Sequence, residues 1–77
     1  MVLDFVVIKT DDGVTAEVPS INGCESWAHK EDEAIEKALE LLRFYNNLDN
    51  SVEIKVDKAG GNKTKTIYKL VFDKDLS

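Results

Sequence analysis

The stretch that decides the fold is VPSINGCESWAHKEDEAIEKALELLRFYNNL, from Val18 to Leu48. It predicts the end of one strand, a turn, a short third strand and then a long amphipathic helix. Pro19 ends the preceding strand, because proline has no N–H to donate to a strand ladder. Extended segments lie on both sides of this stretch, so we expect strands that pack on one helix.

The helix is predicted to begin near Glu31 and to end at Asn46 or Asn47. Its first turn holds three acids, where the helix dipole favours negative charge, but no good capping side chain precedes it. Phe44 falls near the edge of the polar surface, where no core explains it. At about 100° per residue the apolar residues span about half of the circumference, and they are Ala34, Ile35, Ala38, Leu39, Leu41, Leu42, Tyr45 and Leu48.

The first strand, from Val2 to Thr10, is apolar on both faces. A strand covered on one face only alternates apolar with polar residues. We therefore expect the helix to cover one face and a second copy of the chain to cover the other, which predicts a homodimer. The second strand, from Val14 to Val18, alternates and has one apolar face.

The third strand is predicted from Glu25 to Ala28, and its side chains alternate between two faces. Small residues, Cys24 among them, share one face and suit the side beneath a helix. Trp27 then lies on the outer face, beside the polar Glu25. A half-exposed indole among polar groups is typical of a binding anchor.

The chain after the helix predicts two more strands, paired as a hairpin. Ser51 to Val56 alternates, with Val52, Ile54 and Val56 inward, and Thr66 to Phe72 is the last strand. Lys58 to Lys65 predicts a loose tip, and the residues from 73 onward predict a frayed tail. The order β-β-β-α-β-β predicts one α+β domain over residues 1–77, in which a two-layer, antiparallel-rich sheet is backed by one helix.

Charge is spread unevenly along the 77 residues, whose formal net charge is −5. Residues 1–50 hold eleven acids and four bases, a net of −7, and residues 51–77 hold four acids and six bases, a net of +2. Nucleic-acid binding depends on clustered Lys and Arg, so the acidic part favours a basic protein as the partner. No apolar run is long enough to span a bilayer, so no membrane partner is expected.

Cys24 is the single cysteine. It makes no disulfide framework and no cysteine-rich metal site, and the N-terminus has no signal-peptide pattern, so we expect a reducing, cytoplasmic setting. Cys24 and His29 are the candidates for a nucleophile and its base. Their separation of five residues places them on opposite faces of a strand, so we expect no enzyme activity, no cofactor and no metal.

The residues from Gly13 to Leu42 resemble the HicB-like antitoxin family. The resemblance rests on an ordered set of motifs, Ala16-Glu17-Val18-Pro19, Gly23-Cys24 and Asp32-Glu33-Ala34-Ile35, and with the first strand it covers roughly the first 48 residues. It implies a sheet backed by one helix and the binding of a small basic protein, such as a HicA-type toxin that cleaves RNA. Many such antitoxins also carry a helix-turn-helix or ribbon-helix-helix segment. Only strands are predicted after Asn47, so DNA binding is not expected.

Four partner-binding residues are predicted, which are Trp27, Glu25, Glu17 and Phe44. Two other functions stay open. A small-ligand sensor would need a concave pocket, for which a core of this size offers little room. An RNA-binding domain would show an affinity that falls steeply with salt, and it would use a basic hairpin of Lys55, Lys58, Lys63, Lys65 and Lys69.

Overall fold

The computed structural model of the chain describes residues 1–49 and 51–73. In chain order the elements are β1 (Val2–Lys9), β2 (Val14–Glu17), β3 (Glu25–Ala28), α1 (Glu31–Tyr45), β4 (Lys55–Gly61) and β5 (Lys65–Val71). The strands form one antiparallel sheet in the order β3-β2-β1-β5-β4. The predicted α+β class and the predicted order of elements are confirmed. Within the described residues no helix is long and apolar enough to cross a membrane.

The sheet has one face beneath α1 and one face turned away from it, which we call the outer face. On β1, Phe5 and Val7 are fully buried beneath the helix. Val6 and Ile8 point to the outer face, since neighbouring residues of a strand alternate. Val6 is buried but stands apart from the core cluster, so the side chains of its own sheet cover it. The predicted division of the apolar residues of β1 between two faces is confirmed.

Helix α1 lies over β1, β2 and β3. It buries the small residues Ala34 and Ala38, together with Leu42, and small side chains let the helix backbone approach the sheet closely. Two polar contacts reflect this approach. The Ser26 hydroxyl donates to the Ala34 carbonyl over 2.7 Å, and the Cys24 thiol lies 3.7 Å from the Ala38 carbonyl. The prediction that these β3 side chains lie beneath the helix is confirmed.

A polar cluster joins the beginning of α1 to the sheet. Lys9 on β1 pairs with the Glu31 carboxylate over 3.0 Å, and the Tyr68 hydroxyl on β5 donates to the same carboxylate over 3.4 Å. Lys30 occupies the N-cap position without a side-chain hydrogen bond. Glu31 therefore ties the first turn of α1 to β1 and β5 through its side chain, although no side chain caps the helix.

The fourth strand forms the predicted hairpin, but its predicted bounds are wrong. It begins at Lys55 rather than at Ser51, and it continues to Gly61. Val52 is buried in the core but lies outside any strand, and Val56 is 38% exposed. The alternating pattern arises because an irregular segment after α1 contributes side chains to the core. Pairing with β5, in which Val56 lies opposite Leu70, sets the register of β4 instead.

The predicted loose tip is also wrong, because ordered structure fills it. Lys58 to Gly61 belongs to β4, with a bulge between Lys58 and Gly60, and β5 begins at Lys65. In the tight turn between the strands, the Asn62 side-chain oxygen accepts from the backbone N–H groups of Thr64 and Lys65, over 3.0 Å each. An asparagine that satisfies backbone donors in this way stabilises a turn. Apart from Asp73, the predicted tail lies outside the described residues.

Candidate functional site

The four predicted partner-binding residues fall on two separate surfaces. Glu17 on β2, and Glu25 and Trp27 on β3, lie on the outer face of the sheet. Phe44 lies on α1, which packs against the opposite face. One flat partner surface therefore cannot contact all four, and the two surfaces need separate explanations.

Strand register arranges the outer face into rows of neighbouring side chains. One row contains Trp27, Thr15, Ile8 and Lys65, and the next contains Glu25, Glu17, Val6 and Ile67. Apolar side chains therefore occupy the centre of the face, on β1 and β5. The β2–β3 side carries Glu17 and Glu25. On β5 lie Lys65 and Lys69, and Lys69 has Asp4 of β1 and Asp57 of β4 as its neighbours in the sheet. Within the described residues, Glu17, Glu25 and Lys65 make no ion pair.

Trp27 is half exposed, at 47% of its surface. Its ring covers Gly13 in the turn between β1 and β2, where an added Cβ would come within 2.6 Å of the indole. His29 meets the indole edge to face, with the ring centroids 4.7 Å apart. The side chain is therefore held in place by its own chain while a large part of it stays open to a partner, which is the geometry of a preorganised anchor.

The solvent side of α1 is a second candidate surface, and we call it the acidic helix surface. Its exposed acids are Asp32, Glu33, Glu36 and Glu40, with Lys37 as the single exposed base of the helix, and it ends at Phe44. Phe44 is 78% exposed, and its ring meets Tyr45 edge to face at 5.6 Å. Residues three or four apart on a helix are neighbours, so Glu40 lies beside Phe44.

Tyr45 departs from its predicted place in the buried stripe. It is 48% exposed, and its hydroxyl lies over the turn between β2 and β3, where a Cβ on Gly23 would be 2.9 Å away. Gly23 has a φ of 83°, a backbone conformation that favours glycine. Tyr45 therefore extends the aromatic end of the acidic helix surface, so that Phe44 is flanked by a second ring.

Sequence reasoning did not identify the basic side of the outer face. It grouped five lysines as one basic hairpin, but Lys58 lies opposite Tyr68 on the helix side of the sheet, and Lys65 lies on the outer side. Lys69 pairs with Asp4 of the same chain. Strand parity alone places Lys65 and Lys69 on one face. Assigning that face required the pairing of β5 with β1, which a single sequence does not show.

Nucleophilic chemistry finds no support in the geometry. Cys24 is buried beneath α1, whereas His29 is exposed beside Trp27 on the outer side, as their spacing predicted. Burial raises the pKa of the Cys24 thiol, which keeps it protonated and weakly nucleophilic at neutral pH. In residues 1–49 and 51–73 no cluster of His, Cys, Asp and Glu is arranged to hold a metal ion.

Two open grooves lie near the start of β1. One, of about 480 Å³, is lined by Met1, Glu53, Lys55, Val71, Phe72 and Asp73. The other, of about 550 Å³, is lined by Val2, Leu3, Asp4, Pro19, Ser20 and Lys69. Their volumes suit small ligands, but both are open to solvent, whereas ligand sites bury most of their ligand. We therefore favour the outer face and the acidic helix surface over these grooves as candidate binding sites.

Comparison with known proteins adds no relative: no protein-family model, no curated protein and no solved structure matches this chain.

Proposed function

We propose that this chain is a non-catalytic, HicB-like protein-binding module that binds a small basic protein through the acidic helix surface. The observation that carries the proposal is the 78% exposure of Phe44 at the end of a helix surface whose other exposed groups are mainly acids. A large aromatic side chain exposed to this extent has apolar area that a partner can remove from water.

Electrostatics favours a basic partner at this surface. Four exposed acids and one exposed lysine lie on α1, so the surface attracts a cationic protein and repels the phosphate backbone of nucleic acids. Charge speeds association and orients the partner, whereas a central aromatic anchor provides most of the binding free energy. Phe44 supplies the anchor and the acids supply the steering.

The HicB-like resemblance supports the same reading. Gly23 and Cys24 lie in this chain at the turn into β3, and Asp32 to Ile35 opens α1. The architecture of one helix on an antiparallel sheet is the architecture that the resemblance implies. The partner it implies is a small basic toxin that acts on RNA, and the lone buried cysteine suits a reducing cytoplasm.

The proposal is tested with the product of the adjacent gene, if that product is small and basic, by isothermal titration calorimetry and by an RNA-cleavage assay. We expect tight binding that weakens as salt is raised, and suppression of any RNA cleavage by the partner. Phe44→Ala should weaken binding by about 30-fold, which corresponds to about 2 kcal/mol for a central anchor.

The matched control is Val2→Ala, since Val2 is an exposed apolar residue of β1 at 61% exposure and lies on the other layer. It should leave the affinity unchanged. The proposal is overturned if both variants lose the same affinity, or if Phe44→Ala leaves the affinity unchanged, because the partner would then bind elsewhere. Salt-dependent RNA binding by the chain itself would favour the RNA-binding alternative.

A further inference from the structure

Two adjacent rows of the outer face carry acids on one side and a base on the other, with apolar residues between them. The row beyond them holds Asp4, Lys69 and Asp57, and Asp4 pairs with Lys69. Glu17 and Glu25 stand on β2 and β3, Val6, Ile8 and Ile67 occupy the middle, and Lys65 stands on β5. Helix α1 packs on the opposite face, and on the outer face Val2 and Trp27 are exposed at 61% and 47%. The core cluster, which includes the segment after α1, lies on the other side of the sheet.

We propose that a second copy of this chain covers the outer face, related by a two-fold axis that runs along β1 between the two sheets. Such an axis places β2 of each copy over β5 of the other and β1 over β1. A basic partner on this face would be attracted by Glu17 and Glu25 but repelled by Lys65. A second copy in this orientation matches both signs at once, because an isologous interface presents each patch twice.

The strand register shows where each acid would lie. Glu17 and Ile67 share a row, so in this arrangement Glu17 of one copy lies over Ile67 of the other. The outer-face neighbours of Ile67 along β5 are Lys65 and Lys69, two residues away on either side. Glu17 would therefore lie between two lysines, one of which also pairs with Asp4 of its own chain. An axis at right angles to the strands is disfavoured, because it would place the acidic β2–β3 sides over each other. Among the charged residues, the axis along β1 brings only Asp4 opposite its own copy, and each Asp4 is already paired with Lys69 of its own chain.

The size of the face sets the strength of the pair. A face five strands wide, at about 4.8 Å per strand, and about 20 Å long covers about 500 Å² per copy. Two such faces bury about 1,000 Å² in total, which is at the low end of specific interfaces. We therefore expect a dimer that forms at high micromolar concentration and dissociates on dilution, with the two sheets packed as a sandwich.

The first test is sedimentation equilibrium of the intact protein with two charge-reversal variants, Glu17→Lys and Lys65→Glu. Each variant alone places like charges opposite each other, so we expect its dissociation constant to rise at least about tenfold. An equimolar mixture restores opposite charges across the axis, and we expect a heterodimer with at least the wild-type affinity. Glu36→Lys makes the same change of charge on the acidic helix surface, and it should leave dimerisation unchanged.

The second test needs no variant. A carbodiimide joins carboxylates to amines without a spacer, and a mixture of ¹⁵N-labelled and unlabelled protein distinguishes links between copies from links within one. We expect a link between copies that joins Glu17 to Lys65 or Lys69. A monomer at several hundred micromolar, a dimer insensitive to both reversals, or links between copies that avoid β2 and β5 would each overturn the proposal. Partner binding at Phe44 is measured separately, so the two proposals fail independently.

Discussion

The part of the sheet beneath α1 and the β4–β5 hairpin are held by different forces. In β2 every second residue is buried against the helix, whereas all seven residues of β4 are exposed. β4 is attached through its ladder to β5, and β5 in turn pairs with β1. Burial against a second layer therefore fixes the first region. In the hairpin, β5 shares that burial through Leu70, whereas backbone hydrogen bonds and turn chemistry fix β4. Substitutions should separate the two.

The largest contrast is expected from a buried carboxylate. Cys24→Asp places the carboxylate beneath α1, where burial would raise its pKa, and a shift of about three units corresponds to a loss of about 4 kcal/mol. Val56→Asp introduces the same group on β4, at a position 38% exposed, and should cost less than about 1 kcal/mol. Urea denaturation of both variants measures the difference. Equal losses would mean that the hairpin is packed as tightly as the helix-backed region.

A second contrast tests whether turn chemistry controls the hairpin. Gly61 has a φ of 140°, and an added Cβ would clash with the Lys65 carbonyl oxygen, whereas a Cβ on Gly60 would meet nothing within 4 Å. Gly61→Ala should therefore cost about 1–3 kcal/mol through backbone strain, and Gly60→Ala should be close to neutral. Thermal denaturation of the Gly61→Ala and Gly60→Ala variants measures the difference in stability. If both are neutral, this end of the hairpin is as loose as the sequence predicted.

A third, smaller contrast compares one hydrogen bond in each region. Ser26→Ala removes the hydroxyl that donates to the Ala34 carbonyl in the partly buried layer between β3 and α1, and a typical loss is about 1 kcal/mol. Thr64→Ala removes an exposed hydroxyl in the hairpin turn and should change stability by less than about 0.5 kcal/mol. The midpoint of urea denaturation should fall further for Ser26→Ala than for Thr64→Ala. A larger fall for Thr64→Ala would contradict the contrast.

The smallest expected effect is a loss of stability at alkaline pH. Burial raises the pKa of Cys24, and burial together with the neighbouring Glu31 carboxylate raises the pKa of Tyr68. A group with a raised pKa in the folded state binds its proton more tightly there, so its contribution is complete below the unfolded pKa and is lost as pH rises. The decline should begin near about pH 8.5 for the thiol and near about pH 10 for the phenol.

Two variants assign this decline to the two side chains. Cys24→Ala should flatten the earlier part of the stability profile, and Tyr68→Phe should flatten the later part. Guanidinium denaturation between neutral pH and pH 11 supplies the profile. A variant that leaves its own part of the profile unchanged would show that the group titrates in the folded state as it does in the unfolded state.

The same division explains what the sequence could predict. Short-range patterns predict the helix, the order of elements and the inward side chains of the third strand. The helix covers one face of that strand, so small residues occupy every second position there, at Cys24, Ser26 and Ala28. The register of β4 does not follow, because its position depends on pairing with β5. Val52 resembles the inward residue of a strand, although it reaches the core from an irregular segment.

The candidate surfaces were predictable to a similar extent. Parity placed Trp27 on the outer face, and helical spacing placed Phe44 outside the core, but neither pattern showed that the two lie on opposite layers. The sequence predicts Lys65 as part of a basic hairpin, but it does not show that Lys65 and Glu17 lie on the same face with opposite charges. That relation joins β2 and β5, which are 48 residues apart along the chain and separated by β1 in the sheet. Local patterns carry no information about such pairs.

The two edges of the sheet restrict how copies of the chain can assemble. β3 offers only four residues at one edge, and β4 at the other carries a bulge between Lys58 and Gly60 and the left-handed Gly61 near its end. Short edges, bulges and lysines hinder the addition of another strand. Growth by edge-to-edge pairing into open-ended fibrils is therefore disfavoured, so that concentrating the protein should yield closed assemblies that remain in solution.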